Sequence, residues 1–329
     1  MTAEEQEKAI ITAEIAVKNA PGNFETYIDL GMAYFHAERL KDAMAAFQRA
    51  ITMNPHASRA YNGIGRVCYH TGPAQAAVEA YERAIDLDRN YIDPYYGLGI
   101  LYSAQLGDYE AAIRVFQRGL EHNPAEAFLV SSLGSTYARA GGFEEAIENL
   151  QQAIALQPEN DFANSWLSII YLHLKRFDDA ITACRREIEI ADSHSARRVL
   201  GYVYSLQGRY DEAIEQLDRS IALAPEDYEA RGALAQIYRT IGHEQKAQEQ
   251  YAVAAEMAGW DDEYGRACFE AVSGNVDEAI ALLQVALTSG QVQPGWARID
   301  PEFAFIQDDP RFKVLIDGSD PHHNHAAVE

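Results

Sequence analysis

The sequence predicts an all-α fold, a solenoid of antiparallel helix pairs stacked along one axis. Three observations predict it. Apolar residues recur at helical offsets in paired blocks, small residues hold fixed places within each block, and prolines close the blocks at a constant interval. The steps from Pro21 to Pro55 and from Pro124 to Pro158 are each 34 residues. Those from Pro55 to Pro124 and from Pro158 to Pro225 are double steps of 69 and 67.

The stretch from Tyr27 to Pro55 sets the pattern that the rest of the chain copies. Tyr27, Leu30, Gly31 and Tyr34 share one face of a first helix, and Ala43, Phe47 and Ala50 share one face of a second. Gly31 and Ala43 are small because two packed helices must let their backbones approach. Phe47 is the large counterpart, expected to reach forward into the next pair. Pro55 has no amide hydrogen to donate and disfavours helix in the residue before it, so it ends the second helix. One pair cannot cover its own apolar face; stacked neighbours can.

The run Tyr27-x2-Leu30-Gly31-x2-Tyr34, Ala43-x3-Phe47-x2-Ala50, Pro55 resembles the tetratricopeptide repeat, a helix–turn–helix unit of 34 residues. The resemblance, of bacterial type, implies a right-handed superhelical α-solenoid whose first helices line a concave surface. It spans residues 24–259 as seven tandem repeats.

Taken in order, residues 1–23 read as a half repeat. Ala9, Ala13 and Ala16 have second-helix spacing and Pro21 closes it, so this piece is expected to cap the array, whose ends need a polar outer face. The first full repeat follows. The second carries Tyr61, Ile64, Gly65, Ala77, Tyr81 and Ala84, and the third Tyr95, Leu98, Gly99, Tyr102, Ala112 and Phe116. The third is one residue long, and the extra residue fits most easily in the turn Gln105–Asp108. The fourth has Leu133, Gly134, Tyr137, Ala146 and Leu150. The fifth departs, with Cys184 in the large place, Glu187 for the last alanine and Asp192 for proline; a softer joint is expected there. The sixth returns to pattern with Leu200, Gly201, Tyr204, Ala213 and Leu217, and the seventh has Leu234, Ala235, Tyr238, Ala247 and Tyr251.

From Trp260 the pattern weakens. Residues 260–288 read as a degenerate eighth repeat and 289–317 as a C-terminal capping segment, with Phe303, Phe305, Phe312 and Leu315 as an apolar lid over the open end. Asp309 before Pro310 is a helix start. Residues 318–329 are polar and read as a disordered tail. No linker rich in Pro, Gly or Ser divides the chain, so the expectation is one continuous solenoid.

Composition narrows the function. The 329 residues include 27 basic and 50 acidic side chains, a net charge of −23. That argues against nucleic acid and against an anionic membrane surface as partner, since phosphate contacts need a basic face. No apolar run reaches the roughly 20 residues of a membrane span, and the first ten residues lack the pattern of a signal peptide. Cys68, Cys184 and Cys268 lie far apart and match no metal spacing, which suggests free thiols in a reducing compartment. The expected location is cytoplasmic.

No catalytic set is evident, and no cofactor or metal is implied. Gly63-x-Gly65 and Gly97-x-Gly99 look like the start of a dinucleotide loop, but Cys68 and Tyr102 stand where its third glycine belongs. His243-Glu244 resembles the start of a zinc-protease helix, but Ala247 replaces its second histidine. His322, His323 and His325 could hold a metal by composition alone; a solvated tail is the plainer reading.

The resemblance places ligands against the first helices, at places 2, 5, 9, 12 and 13 of each repeat. Among those positions here stand Arg59, Arg66, Arg139, Arg198 and Arg239, against only Glu25, Asp93 and Glu229, an inversion of the chain's overall sign. Aromatics gather there too. The candidate groove residues are Arg59, Arg66, Tyr69, His70, Tyr96, Phe128, Arg139, Phe162, His173, Arg198 and Tyr202. They fit a protein or peptide segment with acidic and apolar side chains, because arginine clamps carboxylates and aromatics supply anchor area. The alternative is that the apolar residues pack against neighbouring first helices while the arginines pair with nearby acids.

Chaperone-binding relatives hold a Glu-Glu-Val-Asp tail with Lys and Asn at fixed places. Here those places hold Ile28, Met32, Gly63, Asp93 and Gly97, so no such tail is expected to bind. The function expected is a non-enzymatic adaptor that binds an acidic, apolar segment in its groove. The alternative is a self-assembling scaffold, a homo-oligomer joined through the terminal caps.

Overall fold

The computed structural model describes residues 2–257 and 262–319. Every element among them is a helix. The chain forms two compact units, Met1–Leu133 and Gly134–Glu329, where the sequence reading has one continuous array.

In the first unit, α1 (Ala3–Asn19) precedes the pairs α2 (Phe24–His36) with α3 (Leu40–Met53) and α4 (Ser58–Thr71) with α5 (Ala74–Leu87). The third repeat pairs α6 (Asp93–Ile100) with α7 (Tyr109–His122). Thr2 starts α1 with a capping box, its hydroxyl accepting from the Glu5 amide at 3.3 Å while Glu5 Oε2 accepts from the Thr2 amide at 2.7 Å. Ala13 packs against Leu30 and Ala46 of the first repeat.

Missing Cβ atoms set the stacking. A Cβ at Gly31 or at Gly63 would come within 2.5 Å of the Phe47 ring, so Phe47 lies between two first helices and touches both. Tyr81 repeats the arrangement between Gly65 and Gly97, where a Cβ would come within 2.6 Å. The two Gly-x-Gly pairs are thus packing sites, each helix receiving one ring from behind and one from ahead.

The extra residue of the third repeat does not sit in the turn expected for it. It is taken up inside the first helix, which continues from α6 as a π-helical turn, Leu101–Leu106, ending at Gly107 with φ 66°. A widened turn absorbs one residue without breaking the hydrogen-bonded chain, and Gly107 accepts the left-handed conformation that stops it.

The unit boundary falls within α8 (Ala127–Ala140). The second unit continues with α9 (Phe143–Leu156), α10 (Asp161–His173), α11 (Phe177–Ile190), α12 (His194–Leu206), α13 (Tyr210–Leu223), α14 (Tyr228–Thr240) and α15 (Glu244–Met257). The last pair is α16 (Glu263–Val272) and α17 (Val276–Ser289). The end comprises α18 (Pro294–Ile299), a 3₁₀ turn Pro301–Phe305, and α19 (Pro310–Ser319). Trp260 and the histidines of the tail lie outside the described residues.

Two features mark this unit. In the fifth repeat the glycine place holds Ser168 and the ring place Cys184, which is fully buried and meets the Ser168 hydroxyl. The C-terminal segment is the second. Phe303, Phe305, Phe312 and Leu315 pack on the cluster of α16 and α17. Phe305 also faces Tyr202, ring centroids 5.2 Å apart, because the 3₁₀ turn lies along α10 and α12 as well as α16. A segment returning over several repeats adds contacts that a plain solenoid lacks, and so separates Gly134–Glu329 as a unit.

Two substitutions check this packing. Gly63→Ala should destabilise the chain by about 1–3 kcal/mol despite alanine's better helix propensity, and adding Phe47→Leu should return part of the loss in a double-mutant cycle read by urea unfolding. Glu187, buried in the fifth repeat, has its carboxyl pushed up to about 7 by burial. A raised folded-state value means stability present at low pH and lost as pH rises. Glu187→Gln should therefore be neutral at pH 4 and stabilise by roughly 2 kcal/mol at pH 8.

Candidate functional site

The first helices of the first unit carry a cleft of about 380 Å³ on their concave side. It gathers Arg66, Tyr69, His70, Tyr96 and Phe128, five of the eleven residues singled out in the sequence, together with Phe35 and Asn62. Tyr96 and Phe128 stand 4.5 Å apart between centroids, and Phe35 and His70 5.7 Å apart, so the walls are aromatic. Gln105, on the π-helical turn, donates to the Tyr69 carbonyl at 3.2 Å and ties that turn to the cleft's edge.

Two groups in this cleft are chemically unspent. Arg66 lies over the Phe35 ring at 4.3 Å and its Nη1 meets only the Met32 sulfur, at 3.7 Å. Among the described residues no carboxylate forms an ion pair with it. Its charge and, above all, burial push the His36 imidazole below its ordinary value. Asn62 is 3% exposed; its amide nitrogen donates to Tyr91 Oη at 2.9 Å, but its Oδ1 accepts from nothing. A buried acceptor without a donor costs roughly 1–3 kcal/mol. The cleft can therefore take a carboxylate at Arg66, an N–H at Asn62 and an apolar body between the rings.

The remaining candidates are not part of this cleft. Arg59 is held on the surface by Glu25 at 2.7 Å and Asp29 at 3.3 Å. In the second unit, Arg139 lies between the indoles of Trp166 and Trp296, 5.3 and 5.1 Å from their centroids. Phe162 is 38% exposed with its ring 6.1 Å from Trp166. His173 is covered by the C-terminal segment; burial, then the Arg298 charge, push its imidazole down to about 4. Arg198 meets Asp227 at 2.9 Å, Glu229 at 3.3 Å and Glu302 of the segment at 3.1 Å. Tyr202 is fully buried under Phe305.

The electrostatics of the second cluster are lopsided. One guanidinium serves three carboxylates, with Asp300 close behind. Burial works against charge on Asp227, but Arg198 and the Ala230 amide outweigh it and hold that carboxyl below its ordinary value. Burial wins at Glu229 and at Glu302, both pushed up, the latter further by Asp300.

A family model described as the C-terminal domain of cilia and flagella-associated protein 70 matches residues 57–270, and one described as the tetratricopeptide repeat matches 24–57. The chain belongs to the tetratricopeptide repeat family. No curated protein matches it. Among solved structures it is similar to the Cut9–Hcn1 hetero-tetramer of the APC/C, at 23% identity and TM-score 0.58, over 71% of this chain and 46% of that one. The chain thus spans about half the length of that relative. It is also similar to PilW, a type IV pilus biogenesis factor, at 16% identity and TM-score 0.56, over 61% of this chain and 94% of that one. At these identities the likeness is one of fold.

Tetratricopeptide repeat proteins bind other proteins, and this fold is an interaction scaffold. Among the described residues no helix is long and apolar enough to cross a membrane. Three participants escaped the sequence reading. Asn62 sits at a groove place but carries neither charge nor ring. Trp166 and Glu302 are distinguished only by what folds against them. The signal for Glu302 was present in Asp300-Pro301-Glu302-Phe303, an acidic and apolar run of the kind sought in a partner.

His173 provides a check on the covered surface. Its depressed folded-state value means that stability present above pH 6.5 is lost as pH falls toward about 4. In His173→Gln that acid-induced loss should shrink by about 2 kcal/mol, measured by chemical unfolding at pH 7 and pH 4.5.

Proposed function

We propose that this repeat protein is a non-enzymatic adaptor, and that its first unit binds a partner segment carrying carboxylate and apolar side chains in the cleft between Phe35 and Phe128. The observation that carries the reading is the pairing of an arginine lacking a carboxylate with a buried amide oxygen lacking a donor, inside aromatic walls. The Arg66 guanidinium accepts a carboxylate with two parallel bonds. Asn62 Oδ1 takes a backbone N–H of the bound segment and so fixes its register. Tyr69, Tyr96 and Phe128 enclose an apolar side chain, the usual seat of binding energy. Location in the cytoplasm agrees with three buried, free cysteines.

A second reading rests on α1. Its inner face is used, but Ile11 and Ile15 are 49% and 53% exposed on the other side. A second copy docking there would make the protein a self-assembling scaffold. Sedimentation across a hundredfold concentration range separates the two, since a monomer throughout excludes the scaffold.

The adaptor reading is tested with an immobilised library of acidic–aromatic peptides. Arg66→Glu should weaken the tightest binders by about 2 kcal/mol or more, and Tyr69→Ala should weaken them independently. Affinities unmoved by both changes, in chains of unaltered helicity, would remove the cleft from consideration.

A further inference from the structure

The second unit holds the same kind of ligand chemistry already engaged. Trp296 stands edge-on to Trp166 at 5.6 Å and stacks on Arg139. Glu302 reaches Arg198, and Phe305 stands edge-on to Tyr202. The occupant is a run of the chain's own residues in short pieces, a six-residue helix and a five-residue 3₁₀ turn. Ala297 and Phe303 anchor the run in the apolar cluster with α16 and α17, whereas Trp296, Glu302 and Phe305 meet the first helices by ring on ring and carboxylate on arginine.

The fit is also incomplete. Arg198 Nε and Tyr202 Oη are buried beneath the run without a partner. Glu302 brings a third carboxylate to a guanidinium that already serves Asp227 and Glu229. Native cores satisfy nearly all such groups, so the run's contacts with α10 and α12 are less complete than those its Ala297 and Phe303 make with α16 and α17.

We propose that the first helices of repeats four to six form a second segment-binding groove, that residues 296–305 are its resident ligand in cis, and that a partner segment with the same order competes for it. That order is the one in which Trp296, Glu302 and Phe305 meet the groove: an aromatic residue, then a carboxylate, then a second aromatic. The resident run keeps the groove closed to weaker sequences and gives way to one that also satisfies Arg198 and Tyr202. Glu302 faces Asp300 of its own turn, Arg198 and Tyr202 of α12, Asp227 and Glu229 at the start of α14, and Tyr264 and Cys268 of α16. Carboxylates outnumber the cation there, so ionising Glu302 loosens the run.

The probe is a fluorescent synthetic peptide of residues 294–306, added to the full chain. It should bind a Trp296→Ala, Phe305→Ala double variant at least tenfold more tightly than wild type, and a Glu302→Lys peptide should bind neither. A folded double variant that ignores the peptide overturns the proposal. Retention of binding after Arg66→Glu is expected. Its loss would seat the peptide in the first unit's cleft, sinking this proposal while leaving the adaptor reading intact. Should the double variant not fold, hydrogen exchange on wild type decides. Amides of 296–305 should exchange at least tenfold faster than those of α10 and α12, and faster still, after correction for intrinsic rates, as the pH is raised. Equal protection would make the run a permanent part of the core.

Discussion

The structure depends on how closely successive first helices approach, and a single ring sets that distance. Phe47 fills the space left by the Cβ atoms that Gly31 and Gly63 lack, and Tyr81 fills the space left at Gly65 and Gly97. Ring and glycines are one device. With either changed alone, the helices would separate or leave a void. The same approach brings places 5, 9 and 12 of neighbouring repeats within reach of one another, which is why Asn62, Arg66, Tyr69 and Tyr96 line one cleft. Packing on the inside of the stack therefore fixes geometry on its concave side.

The second unit solves the same problem with other residues. Leu150 lies against Gly134 and Leu217 against Gly201, each close enough that an added Cβ would fall within 2.8 Å. Cys184, fully buried, takes the ring's place where Ser168 takes the glycine's. The concave surface of this unit carries Trp166 and Tyr202, and residues 296–305 lie over them. An apolar concave face this rich in aromatic area does not stay open to water without cost.

Helix pairs and their register are legible because each repeat states them again, so chance at one place is corrected by the next. Features that occur once are not. The π-helical turn at Leu101–Leu106 was visible as an extra residue, but a loop and a widened turn differ in hydrogen bonding, not in length. In the fifth repeat Ser168 and Cys184 meet, a contact that no single position of the sequence announces. Place in the repeat marks a residue as a groove candidate, yet place says nothing about occupancy. Tyr96 and Tyr202 both qualified, and one lines an open cleft while the other lies under Phe305.

Arginine makes that limit physical. Arg59, Arg66, Arg139 and Arg198 all stand on first helices in a chain of net charge −23. Arg59 took two exposed acids, a contact worth little in water. Arg198 took three, two of them buried, and the surplus charge is relieved by raising Glu229 and Glu302 rather than by finding another cation. Arg66 took a ring and a thioether instead. In the proposed adaptor this half-buried guanidinium is the group that meets a partner's carboxylate. The acidity elsewhere would sharpen the choice, since like charge around the cleft repels an acidic partner except where attraction outweighs it. On that reading, selectivity for a segment with its carboxylate at one defined position follows from the surplus of negative charge.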